Sequence, residues 1–392
     1  MKYLIIGAGV IGTAIARELA IQNKGEIVVL EKEVEAGLHT SGRNSGVIHS
    51  GINPKSGTLK SKLCIEGSRL LREYCLENKV PMSMNGTIVV ANSREGIMHL
   101  HQLYDNAMKS QVPGVRLISQ EELMEREPNA KGLEALFSPT GAVIDSKALV
   151  QRVVKDAQSN GVKFYWNTKV NKINTSNLEA STGIHQFDFL INCSGLHVDK
   201  LAHTIKIGNK YSIIPFRGDY REVPANVNSM IYHVPDLRFP FLGVHLTRTV
   251  DGKVIAGPTA TLSFAGREGY EGGLNPRFFS ETANSVNFLA WATRAITSPS
   301  MLKQIVHNLQ ISKNPEKFLK DIYQIYDGDI DMSKAHPYSS GIRPQIVDRK
   351  GHLVDDFLIE RNYNQLHLLN AVSPAFTASL AFAKYIIKEY IK

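Results

Sequence analysis

Three glycines and one acid near the start of the chain have the spacing of a dinucleotide-binding site. Gly7, Gly9 and Gly12 follow a short apolar run, and Glu31 comes nineteen residues after the last of them. In this pattern the glycines permit a tight turn, a close approach to a pyrophosphate and close helix–strand packing. The helix N-terminus attracts phosphates, and the acid accepts hydrogen bonds from ribose hydroxyls. The spacing predicts a site for FAD or NAD, while the acid disfavours NADP.

The elements that must position these residues follow from the hydrophobic periodicity. Residues 3–6 form an apolar run typical of a strand, and residues 10–20 carry apolar side chains with helical spacing. A second apolar strand, residues 27–30, ends directly at Glu31. A glycine turn without a ligand would not explain this order, so we expect a Rossmann-like unit.

The loop that follows favours FAD over NAD. An NAD enzyme usually continues with further strand–helix units, whereas residues 35–57 are rich in Gly, Ser, His and Asn. Such a backbone can lie against a flat ligand and donate N–H groups to it. The candidate FAD contacts in this loop are Ser41, Arg43, Asn44, Ser45, Gly46 and Val47.

Composition excludes several other classes of function. The 392 residues include 45 Lys and Arg against 37 Asp and Glu, and the net charge of +8 suits an anionic small molecule. We expect no nucleic-acid partner, because no basic block is interleaved with aromatic residues. Cys64, Cys75 and Cys193 form no C-x-x-C pair, and no His or acidic cluster has metal-ligand spacing. We therefore expect no metal and a reducing, cytoplasmic location.

Longer motifs connect the chain to a family. The most specific are N-S-G-V-I-H-S-G-I at 44–52, R-G-D-Y at 217–220 and L-G-V-H-L-T-R at 242–248, with further matches at 59–64, 340–344 and 370–375. With these motifs the whole chain resembles the D-amino-acid-oxidase-type FAD-dependent oxidoreductases, and within them the L-2-hydroxyglutarate dehydrogenase/oxidase family. Two sites differ from the family pattern: Arg43 replaces a usual His, and Asn53-Pro54 replaces two Tyr.

The resemblance implies an α/β fold in two parts. A discontinuous Rossmann-like FAD-binding domain would comprise residues 1–80, 142–206 and 336–392. An α+β substrate domain with an antiparallel sheet would comprise residues 81–141 and 207–335. The periodicity predicts helices over 59–78, 146–160, 277–294 and 375–390, and strands over 163–173, 187–192 and 365–370.

The resemblance also extends the set of candidate FAD contacts. In the family, position 170 contacts adenine, the turn at 194–195 lies near the nucleotide, and the last helix directs its N-terminal N–H groups at FAD. No cysteine follows Cys193, which favours noncovalent FAD. Lys60 and Lys62 could contact phosphates, although exposed helix lysines are the default. The added contacts are Val10, Ile11, Lys32, Val170, Ser194, Gly195, Gly341, Arg343, Pro374, Ala375, Phe376 and Thr377.

The implied chemistry is the oxidation of a small anionic 2-hydroxy acid. Hydride would leave C2 for flavin N5 while a base takes the hydroxyl proton. Arg343 would anchor the carboxylate through its planar guanidinium. Arg217 and Arg248 are candidates for a second carboxylate or for structural ion pairs.

The base is expected to be a histidine, and two of the 13 histidines lie inside the family motifs. His49 and His245 are equal candidates for the base, and both are candidate substrate contacts. Tyr220 is either a roof of the substrate pocket or packed core. Thr247, two residues beyond His245, is a further candidate substrate contact.

Alternatives remain at this point. Oxidation of sn-glycerol 3-phosphate or of an amino acid would use a similar site, and an RNA-binding flavoprotein or a catalytically silent FAD scaffold would belong to a different class. Oxygen, a quinone or another protein could accept the electrons. The final helix carries Lys384, Lys388 and Lys392 beside Phe382, Ile386, Ile387 and Ile391, so it either docks peripherally on the inner membrane face or packs on its own domain.

Overall fold

The computed structural model describes residues 1–235 and 243–391, so Leu242 of the L-G-V-H-L-T-R motif and Lys392 of the final helix lie outside the described residues. Short 3₁₀ helices span Gly195–His197 and Met332–Lys334, and one π-helical turn spans Phe279–Ala283. The α-helices are α1 (Val10–Ile21), α2 (Leu59–Glu77), α3 (Arg94–Lys109), α4 (Gln120–Arg126), α5 (Ser146–Ser159), α6 (Val198–His203), α7 (Pro276–Phe278), α8 (Val286–Thr297), α9 (Pro299–Lys313), α10 (Pro315–Ile322) and α11 (Ala375–Tyr390).

The strands form two large and two small sheets. In chain order they are β1 (Lys2–Ile6), β2 (Glu26–Leu30), β3 (Val47–Ile48), β4 (Met82–Ser83), β5 (Thr87–Ala91), β6 (Arg116–Ser119), β7 (Glu134–Ser138), β8 (Ala142–Ile144), β9 (Lys163–Tyr165), β10 (Val170–Ile173), β11 (Asn177–Ala180), β12 (Gly183–Gln186), β13 (Phe189–Asn192), β14 (Tyr211–Glu222), β15 (Met230–His233), β16 (His245–Arg248), β17 (Val254–Gly257), β18 (Thr261–Leu262), β19 (His336–Asp348), β20 (Leu358–Asn362) and β21 (Gln365–Asn370).

The first large sheet is the predicted Rossmann-like core. Its strand order is β20-β21-β13-β1-β2-β9, and all neighbours are parallel except β20 and β21. The central strands are continuous apolar runs because both faces are covered. Apolar residues of α1, α2, α5 and α11 pack in one cluster with this sheet, and the small sheet β10–β12 contributes to a second cluster.

The second large sheet has nine strands and forms the wall opposite the nucleotide fold. Its order is β18-β14-β17-β16-β15-β5-β7-β6, with β19 paired to β14. The pairs are antiparallel except β5 with β15. Residues of α9 and α10 pack with one face, whereas α3 packs with the other. The expected α/β class with an antiparallel second sheet is confirmed.

Three predicted elements differ in the structure. Residues 163–173 form two strands in different sheets, because the chain turns at Asn167, which has φ +53°. Residues 277–294 are interrupted before Ser285, whose side chain caps the start of α8 by accepting from the Phe288 N–H. The third is the segment 336–348, placed by the sequence within the FAD-binding range without a strand; it forms β19, which pairs along β14 in the second sheet. The division into two domains stays a prediction.

The apolar side of the final helix is inside the molecule. Phe382, Ile386 and Ile387 of α11 are buried, as is Ile391 after it, and they belong to the core cluster of the first sheet. This face is therefore covered by its own domain and is not open to a membrane surface. Within residues 1–235 and 243–391, no helix has the length and apolarity to cross a membrane.

Candidate active site

A long cavity of about 1100 Å³ runs from the carboxyl ends of β1 and β2 to the second large sheet. Ligands of open parallel sheets bind at this edge. Most predicted site residues line it: Gly7, Gly9, Val10, Ile11, Glu31, Lys32, Ser41, Arg43, Asn44, Ser45, Val47, His49, Val170, Ser194, Gly195, Arg217, Tyr220, His245, Gly341, Arg343, Pro374, Ala375 and Phe376. Gly12, Gly46, Thr247, Arg248 and Thr377 do not, and neither do Lys60 and Lys62.

The glycine motif folds as its spacing predicts. Gly7 has φ +98°, and a Cβ there would lie 2.7 Å from the Cys193 carbonyl oxygen. Gly12 lies behind the cavity wall, where a Cβ would lie 2.1 Å from the Gly7 carbonyl oxygen. Gly12 therefore acts by letting α1 approach the strand, not by contact with a ligand.

The acid after β2 is held in place by backbone groups. The Glu31 carboxylate accepts hydrogen bonds from the Ala8 N–H at 2.7 Å and the Glu33 N–H at 3.0 Å. These bonds fix its orientation at the cavity wall while leaving further lone pairs on both oxygens. A pair of ribose hydroxyls could donate to them.

Two helices begin at the cavity, and neither Gly9 before α1 nor Pro374 before α11 supplies a capping side chain. In α1, the Val10 N–H donates to the Ser41 hydroxyl at 3.0 Å. An uncapped N-terminus presents N–H groups and a partial positive charge, both suited to anionic or electron-rich groups. Thr377 contributes indirectly, since its hydroxyl accepts a hydrogen bond from the His49 N–H at 3.0 Å. It thereby ties the loop that carries His49 to α11.

These features fit FAD. The cavity exceeds the roughly 300–1,000 Å³ of ordinary small-molecule pockets. It combines a glycine turn, an oriented carboxylate and two uncapped helix ends. The first helix end and the carboxylate match a diphosphate and a ribose, and the second helix end lies further along the same cavity.

A segment that follows β18 covers the nucleotide end of the cavity. We call residues 263–281 the strap. Strap residue Arg267 donates to Asp199, with 2.9 Å between Nη2 and Oδ2, and both side chains are buried. Strap residue Glu268 pairs with Lys32 at 2.8 Å and with His197 at 2.6 Å. These partners hold the pKa of Glu268 well below its usual range, His197 having the largest effect.

The strap also contacts the residue at which this chain differs from the family pattern. The Arg43 guanidinium lies 4.1 Å from the ring centroid of strap residue Tyr270, and the Tyr270 hydroxyl is 2.7 Å from Nδ1 of His39. His39, Glu33 and Glu268 could converge on a metal, but the Lys32 ammonium already contacts all three. Sequence reasoning missed the strap, because its partners lie more than sixty residues away along the chain.

The other end of the cavity is formed by the β14–β19 pair. The register pairs Phe216 with Arg343 and Tyr220 with Ser339, which places Tyr220 and Arg343 on one face. Arg217 lies on the opposite face, where it donates to Asp219 at 2.7 Å and to Ser340 at 3.1 Å. Of the two roles that the sequence left open for Arg217, a second substrate carboxylate or a structural ion pair, the structure shows the ion pair with Asp219.

Both candidate histidines lie at this end, close to Arg343. Burial, together with the charges of Arg343 and Lys60, lowers the pKa of His49 to about 4. Burial, opposed by the Gly243 carbonyl and helped by His49 and Arg343, lowers the pKa of His245 to about 3. Both imidazoles are therefore neutral at physiological pH. His49 is partly open to the cavity, whereas His245 is only 6 % exposed.

The wall behind His245 contains a residue that the sequence did not indicate. The Tyr232 ring stacks on the His245 ring, with centroids 4.2 Å apart. Thr247 lies further along β16 and is fully buried behind the cavity wall. Arg248, at the end of the same strand, is exposed and directed away from the cavity. The sequence pattern gave no signal for Tyr232 because its partner is set by the pairing of β15 with β16.

Two lysines predicted as weak phosphate candidates lie elsewhere. Lys60 is buried on α2, and its ammonium is 2.9 Å from Asp355 Oδ1. Lys62 is exposed on the same helix. Since neither lines the cavity, neither is placed to contact phosphates there.

The fold and cavity define the class of an FAD-dependent oxidoreductase. The profile of the family described as FAD dependent oxidoreductase (DAO) matches residues 2–389, and the chain belongs to this family. The resemblance found in the motifs is thus confirmed at the family level.

Curated relatives are similar over the full chain. An L-2-hydroxyglutarate dehydrogenase from Indibacter alkaliphilus is 36% identical, with 100% of this chain and 99% of that protein covered. The mitochondrial L-2-hydroxyglutarate dehydrogenase of Homo sapiens is 33% identical, covering 98% and 88%. Among solved structures, FAD-bound L-alpha-glycerophosphate oxidase from Mycoplasma pneumoniae has a TM-score of 0.76 at 23% identity, covering 99% and 94%. That structure supports the fold.

Proposed function

We propose that this protein oxidises L-2-hydroxyglutarate to 2-oxoglutarate with noncovalently bound FAD. One observation carries the proposal: the cavity that fits the dinucleotide ends at Arg343 and two neutral histidines, of which His49 is partly open to the cavity and His245 is buried. A cation and a neutral base are what the oxidation of a 2-hydroxy acid requires. The full-length identity of 32–36% to L-2-hydroxyglutarate dehydrogenases supports the choice of substrate.

FAD, when bound, supplies the acceptor for the two electrons and the hydrogen that leave C2. The residues that would hold it are Gly7 and Gly9 at the turn, Glu31 at the ribose, and the uncapped N-termini of α1 and α11. The strap covers the nucleotide end through its contacts with Lys32 and Asp199. We propose noncovalent binding because the chain has no cysteine after Cys193.

Arg343 is proposed as the anchor for the carboxylate next to C2. Its side chain lines the cavity from β19, and Tyr220 lies on the same face of the β14–β19 pair. A guanidinium binds a carboxylate through two parallel hydrogen bonds, which fixes the orientation of the substrate as well as its position. The hydrogen at C2 would then be held in one direction.

His49 is proposed as the base. Its imidazole is partly open to the cavity, so that a hydroxyl group can reach it. Its backbone is fixed by the hydrogen bond to Thr377. A neutral imidazole accepts the hydroxyl proton of the substrate as the C2 hydrogen leaves, and it becomes imidazolium beside a product that keeps its negative charge.

The test is anaerobic reduction of the purified, FAD-loaded protein. L-2-Hydroxyglutarate should bleach the visible flavin spectrum, whereas D-2-hydroxyglutarate and sn-glycerol 3-phosphate should not. Bleaching by glycerol 3-phosphate alone would replace the proposed substrate. Subsequent addition of oxygen or of a soluble quinone identifies which electron acceptor restores the flavin spectrum.

We also propose that the protein works in the cytoplasm, where its three free cysteines stay reduced.

A further inference from the structure

The proposed substrate has two carboxylates, and Arg343 accounts for one. The two arginines that the sequence suggested for the other are not placed to bind it. Arg217 lies on the opposite face of the β14–β19 pair and is engaged by Asp219. Arg248 is exposed and lies outside the cavity. Another polar group must therefore receive the second carboxylate.

His245 has an unmet hydrogen-bonding group at the substrate end of the cavity. Its Nδ1 lies 3.3 Å from the Gly243 carbonyl oxygen. Its Nε2 is buried and has no hydrogen-bond partner within residues 1–235 and 243–391. Buried polar atoms without partners are uncommon in folded proteins, and in a binding cavity they indicate a group that a ligand satisfies.

Strand pairing holds the His245 ring in one orientation. The register of β15 with β16 pairs Met230 with Thr247, which sets Tyr232 directly opposite His245. The two rings stack at 4.2 Å with an interplanar angle of 20°. On the other side, His245 faces Gly257, which has no side chain. The imidazole is therefore stacked on Tyr232 on one face, and the neighbouring strand places no side chain at Gly257, where the Tyr220 ring lies close by.

We propose that His245 binds the second carboxylate of the substrate through Nε2, with Tyr232 as the residue that positions the ring. This inference rests on the proposed function. Nδ1 keeps its proton on the Gly243 carbonyl, so Nε2 must take up one proton from solvent to donate to a carboxylate. The ligand's two negative charges make this protonation favourable beside Arg343. The proton returns to solvent when the product leaves.

Four ionisable groups from three other strands and one loop face His245. His49 lies on the loop after β3, Arg343 on β19, Tyr220 on β14 and Tyr232 on β15. None of them is a carboxylate. Without ligand, His49 and Arg343 both disfavour a charged His245. With a dicarboxylate bound, the added negative charges favour protonated His245. Proton uptake on binding is therefore a measure of the contact between His245 and the second carboxylate.

The test compares two product-like ligands on the oxidised, FAD-loaded enzyme, with flavin absorbance as the readout of binding. 2-Oxoglutarate carries the second carboxylate, and 2-oxopentanoate has a methyl group in its place. The wild type should bind 2-oxoglutarate about 10- to 100-fold more tightly, the range for hydrogen bonds to charged groups. His245→Gln should remove most of this preference and leave 2-oxopentanoate binding unchanged. Arg248→Met, which removes an exposed cation outside the cavity, should keep the preference.

A preference that survives in His245→Gln, or disappears in Arg248→Met, would overturn the proposal. Calorimetry on the wild type in buffers of different ionisation enthalpy gives a test that needs no variant. Binding of 2-oxoglutarate should take up about one more proton than binding of 2-oxopentanoate, and equal uptake would contradict the assignment. If L-2-hydroxyglutarate fails to reduce the flavin, the proposed function itself fails, which is a separate result.

Discussion

The two ends of the cavity differ in how their polar groups are satisfied. At the nucleotide end, charged groups are paired before any ligand binds. Glu31 accepts two backbone hydrogen bonds, Lys32 is held by acids, and Arg267 is held by Asp199. This arrangement is prebuilt for a large ligand that stays in place, because little reorganisation is needed when the ligand enters.

At the substrate end, a polar atom is buried without a protein partner. The Nε2 of His245, which lines the cavity, has no partner among the residues that the structure describes. Both histidines there are kept neutral by burial. An unsatisfied buried polar group costs free energy in the empty site, so a polar ligand that bonds to it binds more favourably. The contrast indicates that one end is built for permanent occupancy and the other for exchange of substrate and product.

The largest effect is expected at the base. His49→Asn keeps a polar side chain of similar reach but cannot take a proton at neutral pH. Flavin reduction by L-2-hydroxyglutarate should slow by about 10²- to 10⁴-fold, the usual contribution of general base catalysis. Anaerobic stopped-flow absorbance measures the rate, and the FAD content should stay at the wild-type level. If His245→Gln slows reduction far more than His49→Asn does, the base is His245.

The next effect is at the carboxylate anchor. Arg343→Met removes a charge-assisted, bidentate contact and should lower kcat/KM by about 10²- to 10³-fold through a higher KM. Arg343→Lys should recover part of the loss, since an ammonium retains the charge but not the planar fork. Steady-state kinetics with L-2-hydroxyglutarate check both. Unchanged kinetics in Arg343→Met would show that the carboxylate binds elsewhere.

The nucleotide end should respond in cofactor retention instead of rate. Glu31→Ala removes the ribose acceptor and should weaken FAD binding about 10- to 100-fold. Equilibrium dialysis of the protein measures the affinity. Glu35→Ala is a matched control, because Glu35 is a nearby exposed acid that pairs with Lys147. Equal FAD affinity in wild type and Glu31→Ala would remove Glu31 from the site.

Residues whose role depends on local chain order were predictable from the sequence. The glycine turn, Glu31 and α1 occur within one strand–helix–strand unit, and periodicity alone indicated them. The pairing of β19 with β14 was not indicated by the sequence, because β14 lies more than a hundred residues earlier. Local patterns do not encode such pairing.

The same limit explains the contacts that sequence reasoning missed. The partnership of Arg267 with Asp199 and the stack of Tyr232 on His245 both arise from tertiary contacts. The composition of the R-G-D-Y motif drew attention to Arg217, yet strand alternation directs its side chain to the face opposite Arg343. The arginine was visible in the sequence, but its direction required the register of β14 with β19.

A smaller effect is expected where Tyr232 positions His245. Tyr232→Phe keeps the stacked ring and should bind 2-oxoglutarate within about twofold of the wild type. Tyr232→Leu removes the stacked ring and should weaken the binding of 2-oxoglutarate about 2- to 10-fold, the range for the loss of an aromatic pair. In a His245→Gln background, Tyr232→Leu should add little, because both changes act on the same ring. Additive losses would mean that Tyr232 acts only on general stability.

The smallest expected effect is on the pH dependence of flavin reduction, which distinguishes a base whose pKa is lowered by its surroundings from one with an ordinary pKa. Burial lowers the pKa of His49 to about 4, and only the neutral form accepts a proton, so the rate is lost as pH falls through that value. The second-order rate constant of reduction, measured below saturating substrate so that it reports on the free enzyme, should be flat from pH 9 to pH 5.5 and reach half its value near pH 4. A base with the ordinary pKa of about 6.5 would already lose about tenfold at pH 5.5. Stopped-flow pH jumps distinguish the two, and full recovery on return to pH 7.5 excludes unfolding as the cause.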